Sequence, residues 1–187
     1  MSPIKLNGSM SGFVALDAPA AAGSNTLVLP TGNGSSGQVL TTNGSGVLSF
    51  AQGGRILQVI NGLLTTGQST TSTTYVDSGL SATITPSSST SKILILVSAS
   101  SVAVNTTARG VSVNLTRDST PIVEFAQFLG YSSNSESYNP STSYLDSPNT
   151  ISAITYKVRY KVSTGSATAY FSDNASTSTI ILMEVAA

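Results

Sequence analysis

Turn-forming residues interrupt this chain throughout its length. Gly, Ser, Thr, Asn and Pro recur every several residues, and apolar residues are never spaced at three and four positions over a sustained stretch. That spacing is the signature of an amphipathic helix, whereas short apolar runs between turn residues are typical of strands. The sequence therefore predicts an all-β fold.

The chain divides into two regions of different composition. The Gly-rich step Ala51-Gln52-Gly53-Gly54 separates them, so we expect a first domain over residues 1–54 and a second over 55–187. The first region is Gly-rich, with predicted strands at 26–29, 37–42 and 47–51. So few apolar residues rarely offset the chain entropy of folding alone. We expect this extended segment to intertwine with neighbouring subunits.

The second region carries longer strands, which predict an antiparallel β-sandwich of the jelly-roll kind. The predicted strands are 56–60, 73–76, 81–85, 92–98, 111–117, 122–128, 151–162, 167–172 and 179–185. Residues 111–116 alternate apolar with polar, which predicts an outer strand with one solvated face. Residues 93–97 and 180–183 are apolar without alternation. We expect these two strands to be central, or to lie against another subunit.

Composition narrows the functional classes. The chain has no His and no Cys, its formal net charge is zero, and only 9% of its residues are charged. Without imidazole or thiol most hydrolytic mechanisms are unavailable, so we expect no enzymatic activity, no cofactor and no metal. Neutrality argues against a nucleic-acid partner and favours self-association. We also expect no membrane insertion, since no signal peptide and no 18-residue apolar run occur.

Short motifs along the chain resemble those of tail-fibre-like virion structural proteins of tailed phages of aquatic bacteria, including cyanophages. In the first region the motifs are Leu6-Asn7-Gly8-Ser9, Asp17-Ala18-Pro19-Ala20, Thr26-Leu27-Val28-Leu29-Pro30 and Gly37-Gln38-Val39-Leu40-Thr41-Thr42. In the second they are Ile84-Thr85-Pro86-Ser87, Ser91-Lys92-Ile93-Leu94, Leu145-Asp146-Ser147-Pro148, Thr155-Tyr156-Lys157-Val158 and Ser178-Thr179-Ile180. Their shared order spans most of the chain.

The resemblance implies a trimeric structural protein of the virion, assembled in the host cytoplasm. Its N-terminal segment would form a stem that binds other virion proteins, and its function would be that of a short tail fibre in host attachment. The stem motif begins almost at Met1, whereas fibre relatives are often much longer. That difference keeps a second possibility open, a capsid decoration protein of the cement or head-fibre type.

The segment from residue 129 to residue 150 is the candidate contact with a receptor or partner such as a host surface glycan. Aromatic rings among Ser, Asn and Pro combine rigid surface with adaptable hydrogen bonding. The candidate residues are Tyr131, Asn134, Tyr138, Asn139 and Tyr144. The alternative is an ordinary long connection whose tyrosines pack on their own sandwich or on a neighbouring subunit.

A basic stripe is the second candidate site. Lys157, Arg159 and Lys161 alternate with Tyr and Val, so a strand places the three cations on one face. They could bind an anionic polysaccharide or an acidic capsid patch, although an edge strand blocking unwanted pairing has the same pattern. Asp118 and Glu124 flank one turn, and a solvated turn and edge explain them better than catalysis.

Overall fold

The computed structural model describes residues 4–7, 13–16, 23–24, 26–106, 109–130, 137–163 and 167–186. All regular structure in these residues is β-strand, which confirms the all-β prediction. The chain forms two compact units, Met1–Gly53 and Gly54–Ala187.

The described residues of the N-terminal unit form two antiparallel strand pairs. Strand β1 (Ile4–Asn7) pairs with β2 (Phe13–Leu16), and β3 (Gln38–Thr42) pairs with β4 (Leu48–Gln52). Asn43 shapes the second turn, because its Oδ1 accepts hydrogen bonds from the backbone of Ser45 and Val47 at 2.8 and 3.2 Å. The strand predicted over 26–29 is instead a single bridge between Val28 and Val47.

The described residues of the second unit form eleven strands. These are β5 (Ile56–Leu64), β6 (Gln68–Thr70), β7 (Val76–Ile84), β8 (Lys92–Ser98), β9 (Ala103–Val104), β10 (Val111–Arg117), β11 (Thr120–Leu129), β12 (Ser141–Asp146), β13 (Ile154–Val162), β14 (Ala169–Phe171) and β15 (Ser178–Val185).

Two four-stranded antiparallel sheets dominate this unit, an arrangement compatible with a β-sandwich. Sheet I has the order β11-β10-β13-β7, and sheet II has the order β12-β8-β15-β5. A smaller sheet, β6-β14-β9, accompanies them. Apolar side chains from the inner faces of both large sheets form one core cluster, with Tyr156, Ile93 and Leu182 fully buried within it.

The two apolar runs without alternation occupy the inner positions of sheet II, which confirms that they are central strands. In β8 the side chains of Ile93, Ile95 and Val97 are buried, while those of Leu94 and Leu96 between them are only half-buried. Strand β15 repeats this pattern. Their second face is therefore incompletely covered in the isolated chain.

The position of β10 contradicts the prediction that residues 111–116 belong to an outer strand with one solvated face. The strand lies between β11 and β13, and Ser112, Asn114 and Thr116 on its polar face are buried. The sequence preceding β7 lies on the same face, since the hydroxyl of Tyr75 donates to Glu124 on β11, the strand beside β10. The alternation therefore reflects an apolar inner face and a polar face that neighbouring side chains cover.

Two further predictions about strands were wrong. Residues 73 and 74 form a bend, and the strand predicted over 73–76 begins only at Val76. The predicted long connection over 129–150 contains strand β12, which forms an edge of sheet II by pairing with β8. Edge strands such as β12 are partly solvated, so their sequences carry more Ser and Thr than those of central strands.

Candidate functional site

The described part of the tyrosine-containing segment is hydrogen-bonded to residues 101 and 102 of the same unit through Tyr138 and Asn139. Tyr138 forms an antiparallel bridge with Val102, with backbone hydrogen bonds of 2.8 and 2.9 Å. The exposed Asn139 uses its Oδ1 to accept a hydrogen bond from the backbone of Ser101 at 2.9 Å. Two of the five candidate contacts, Tyr131 and Asn134, lie outside the described residues.

Tyr144 has a packing role. It lies opposite Ile95 across the β12–β8 pair, and its half-buried ring packs against the core cluster. For this residue the structure matches the alternative in which tyrosines of the segment pack on their own sandwich. Tyr138 and Asn139 remain together as the described part of the candidate contact region.

The basic stripe has the predicted strand geometry. Along β13 the residues Tyr156, Val158, Tyr160 and Val162 are buried, and the three cations point to the opposite face. The edge-strand explanation is wrong, however, because β13 lies between β10 and β7. The stripe is therefore part of the outer face of sheet I.

Each cation of the stripe has a partner on that face. Lys157 Nζ lies 3.1 Å from Asp77 Oδ2, and Arg159 Nε lies 2.9 Å from Asp77 Oδ1 without good hydrogen-bond geometry. Arg159 Nη2 also donates to the backbone oxygen of Tyr75 at 2.6 Å. Lys161 Nζ sits 4.6 Å from the centre of the Tyr75 ring, within the range of a cation–π contact.

Tyr75 connects this stripe to an acidic residue. Its hydroxyl donates to Glu124 Oε1 at 2.6 Å. Burial raises the pKa of the Tyr75 phenol well above its usual value, and the hydrogen bond to Glu124 raises it further. The three cations thus share their surface with two carboxylates, Asp77 and Glu124, which reduces the field available for an anionic ligand.

The two acids flanking the β10–β11 turn are engaged separately. Asp118 adopts a left-handed conformation with φ of 51°, and its Oδ1 accepts a hydrogen bond from the backbone of Thr155 at 3.0 Å. Glu124 accepts from Tyr75 on the outer face of sheet I. These contacts give both carboxylates structural partners, as in the solvated turn and edge interpretation.

Two buried polar clusters were not anticipated from the sequence. In the first, Asp146 accepts from Arg117 at 2.9 Å and from the hydroxyl of Tyr156 at 2.7 Å. In the second, the carboxylate of Glu184 accepts from Gln58 Nε2 at 2.6 Å and from the backbone nitrogen and hydroxyl of Ser87 at 2.7 and 2.6 Å. The partners come from distant segments, so no local motif marks either cluster.

The second cluster favours the ionised carboxylate. Burial alone would raise the pKa of Glu184, but hydrogen bonds from Ser87, Gln58 and Ser91 outweigh it and hold the pKa at about 2. Burial also raises the pKa of Tyr160 to about 12. Glu184 therefore joins β15 to the 85–91 connection through charge-assisted hydrogen bonds.

Two structural features, a cluster of metal-ligating side chains and a helix able to cross a membrane, are absent from the described ranges. Within them, no group of three or more acidic residues is close enough to hold a metal ion. Over the same residues, no helix is long and apolar enough to cross a membrane.

The fold places this chain in the class of all-β proteins, and its larger unit is built from antiparallel sheets. No family model matches this chain, and no curated protein matches it. Among solved structures it is similar to the VP2 subviral particle of infectious bursal disease virus, at 9% sequence identity and a TM-score of 0.45. The alignment covers 74% of this chain and 35% of the viral protein, so the chain spans about a third of that structure's length.

Proposed function

We propose that this chain is a non-enzymatic structural protein of a tailed-phage virion, a short tail fibre that acts as a homotrimer in host attachment. The assignment to phage rests on the ordered motifs that resemble tail-fibre-like proteins. In this proposal the N-terminal unit forms a stem that binds other virion proteins, and the second unit is exposed towards the host.

The exposure of side chains in the N-terminal unit is the observation that supports assembly into a homotrimer. None of the side chains described between residues 23 and 53 is buried. Leu27 and Leu29 are 65% and 71% exposed, and Val28, Leu40 and Phe50 are also open to solvent. A chain segment with no buried side chains has little to offset its ordering entropy. Contacts with other copies would give these side chains the cover that they need.

The strand order of the second unit supports a jelly-roll interpretation. The two large sheets contain eight strands, which follow one another along the chain as β5, β7, β8, β10, β11, β12, β13 and β15. Their spatial order is β5-β15-β8-β12 in one sheet and β7-β13-β10-β11 in the other. This is the connectivity of an eight-stranded jelly roll made of two sheets. Such domains occur in viral capsid proteins and in lectins, which suits both a virion role and recognition of a glycan.

The non-enzymatic part of the proposal rests on the side-chain chemistry. The sequence has no His or Cys to act as base or nucleophile. Asp118 and Glu124 are both occupied by hydrogen bonds to the protein. Incubation of the purified protein with host polysaccharide should release no reducing ends, and steady release would overturn this part.

Electron microscopy of particles labelled with a gold-tagged antibody against the chain tests the virion role. The proposed fibre predicts label at the tail, with few copies in each particle. Label distributed over the head at capsid symmetry axes, in many copies, would replace the fibre by a decoration protein. Purified particles without label would contradict both assignments.

Host contact is tested at Tyr138. If its ring stacks on a surface glycan, Tyr138→Ala should lower binding of the labelled protein to host cells, while Tyr138→Phe, which retains the ring, should bind like the wild type. Equal binding by all three proteins would remove Tyr138 from the proposed contact.

A further inference from the structure

The outer face of sheet II carries apolar side chains that are exposed in the described part of the second unit. Directly opposed residues of antiparallel strands point to the same side of a sheet, so the strand register identifies this face. One row across it is Leu145, Leu94, Met183 and Val59. The next row is Ser143, Leu96, Ile181 and Asn61.

The same register places further apolar residues on this face, which we call the sheet II face. Leu63 lies beside Thr179, and Val185 lies beside Ile56 at one end. Val59, Leu63, Leu145 and Ile56 are between 52% and 58% exposed. Lys92, next to Val185, is the one charged residue among those that the described register places on the face.

The outer face of sheet I has the opposite composition. It carries the cations Lys157, Arg159 and Lys161 and the acidic residues Asp77 and Glu124, all on strands of sheet I, and Asp77 pairs with Lys157 and Arg159. Ion pairs and hydroxyl groups of this kind are typical of a face in contact with water. The contrast between the two outer faces of one unit indicates that the composition of the sheet II face is poorly suited to contact with water.

We propose that the sheet II face packs against other copies of this chain around the axis of the trimer, an inference that rests on the proposed homotrimer. Identical surfaces that approach one another bring identical charges together, so an interface around a symmetry axis must avoid concentrated charge. The sheet II face meets that requirement because its single lysine lies at one end. A partner of opposite charge would have little on this face to recognise.

The size of the face indicates how much of the trimer contact it supplies. Four strands spaced about 4.8 Å apart and seven residues rising about 3.4 Å each span roughly 450 Å². A stable interface buries about 800 Å² on each partner. Each subunit of a cyclic trimer takes part in two such interfaces, so the sheet II face provides roughly a quarter of the area that a subunit requires, and the exposed apolar side chains of the N-terminal unit are available for the rest.

Cysteine labelling tests the cover of this face directly, because the natural chain contains no Cys. Val59→Cys and the control Ile151→Cys each place one thiol at a position that is 55% or 64% exposed in the isolated chain. In the intact full-length assembly we expect a maleimide to label Ile151→Cys completely and to leave Val59→Cys largely unlabelled. Denaturation should restore labelling of Val59→Cys.

Charge substitution provides the second readout. Val59→Lys combined with Leu145→Lys adds two lysines to one row of the face, and Ser119→Lys combined with Ile151→Lys adds the same charge at exposed positions elsewhere. We expect the first variant to fall to the 19.0 kDa mass of one chain at a concentration where the second remains assembled. Circular dichroism checks that both lysine variants fold. If the variant with Val59→Lys and Leu145→Lys does not fold, the labelling of Val59→Cys alone tests whether the sheet II face is an interface.

The possible results separate the two proposals. If the wild type is a trimer, but Val59→Cys is labelled as fast as Ile151→Cys and the lysine variant stays trimeric, the sheet II face is not the interface and the homotrimer stands. If the wild type is a single chain, the homotrimer and this inference both fail.

Discussion

Arg117 Nη1 lies 2.9 Å from Asp146 Oδ2, and this ion pair joins β10 of sheet I to β12 of sheet II. Asp146 is only 7% exposed, and it also accepts the hydroxyl hydrogen bond of Tyr156. Burial raises the pKa of Tyr156, and its hydrogen bond to the ionised Asp146 raises it further. A single carboxylate therefore satisfies two donors and ties together the two sheets that enclose the core.

Replacing this carboxylate should destabilise the second unit. Asp146→Asn keeps the side-chain shape but leaves the partly buried guanidinium of Arg117 without a countercharge, at an expected cost of about 1–3 kcal/mol. Urea unfolding at a fixed protein concentration measures the change in free energy. The control Asp118→Asn occupies a left-handed turn that Asn tolerates, and should stay within about 0.5 kcal/mol of the wild type. Equal stability of both variants would show that the Arg117 pair contributes nothing.

Ionisation of Glu184 should make the free energy of unfolding depend on pH in the acid range. Its pKa is lowered from 4.5 to about 2, so the folded state favours the carboxylate more strongly than the unfolded chain does. The resulting stability is fully present above about pH 4.5 and is lost as the pH falls towards about 2. We expect Glu184→Gln to be less stable than the wild type near neutral pH, with the gap narrowing at about pH 3. Urea unfolding at the two pH values checks this, and a gap that widens in acid would contradict it.

Gly62 marks a close approach between the two large sheets. A Cβ at this position would lie 2.2 Å from the backbone oxygen of Ser81 on β7 and 2.8 Å from Ile180 Cγ2. Gly62→Ala must therefore push β5 away from its neighbours, and we expect a loss of about 1–3 kcal/mol in the free energy of unfolding. Gly32→Ala is the matched control, because its Cβ would meet nothing within 4 Å. A neutral Gly62→Ala would mean that the backbone adjusts without cost.

Asp77 should limit the affinity of the basic stripe for anions. Asp77→Asn removes the countercharge of Lys157 and Arg159, so the variant should elute from a heparin column at higher salt than the wild type. Because Asp77 is half-exposed, the stability cost should be at most about 1 kcal/mol. Ser119→Lys also adds one positive charge and serves as the control for net charge. If Asp77→Asn elutes at the same salt concentration as Ser119→Lys, the increase in heparin affinity comes from net charge and not from the basic stripe.

The central strands were predictable because their sequences carry the signal locally. Residues 92–98 and 111–117 were predicted as strands with the bounds of β8 and β10, since runs rich in branched apolar residues there end at turn residues. The place of Ile93 and Ile180 on inner strands followed from the absence of alternation. No such signal marked β12, where Ser and Thr dominate an edge strand.

The environment of the candidate sites depended on contacts that are distant in sequence. The cations of β13 were expected on one face, but Asp77 and Tyr75, which engage them, lie about eighty residues earlier. The burial of Ser112, Asn114 and Thr116 is likewise not evident from the alternation of their own strand. Periodicity assigns a residue to a face, and only the tertiary arrangement determines what covers that face.

The solution mass of the full-length chain, measured by light scattering over a range of concentrations, tests the proposed assembly most directly. The account predicts about three times 19.0 kDa, with unfolding that shifts to higher temperature as the protein concentration rises. A single chain of 19.0 kDa whose melting does not depend on concentration would contradict the homotrimer, and with it the interface assigned to the sheet II face.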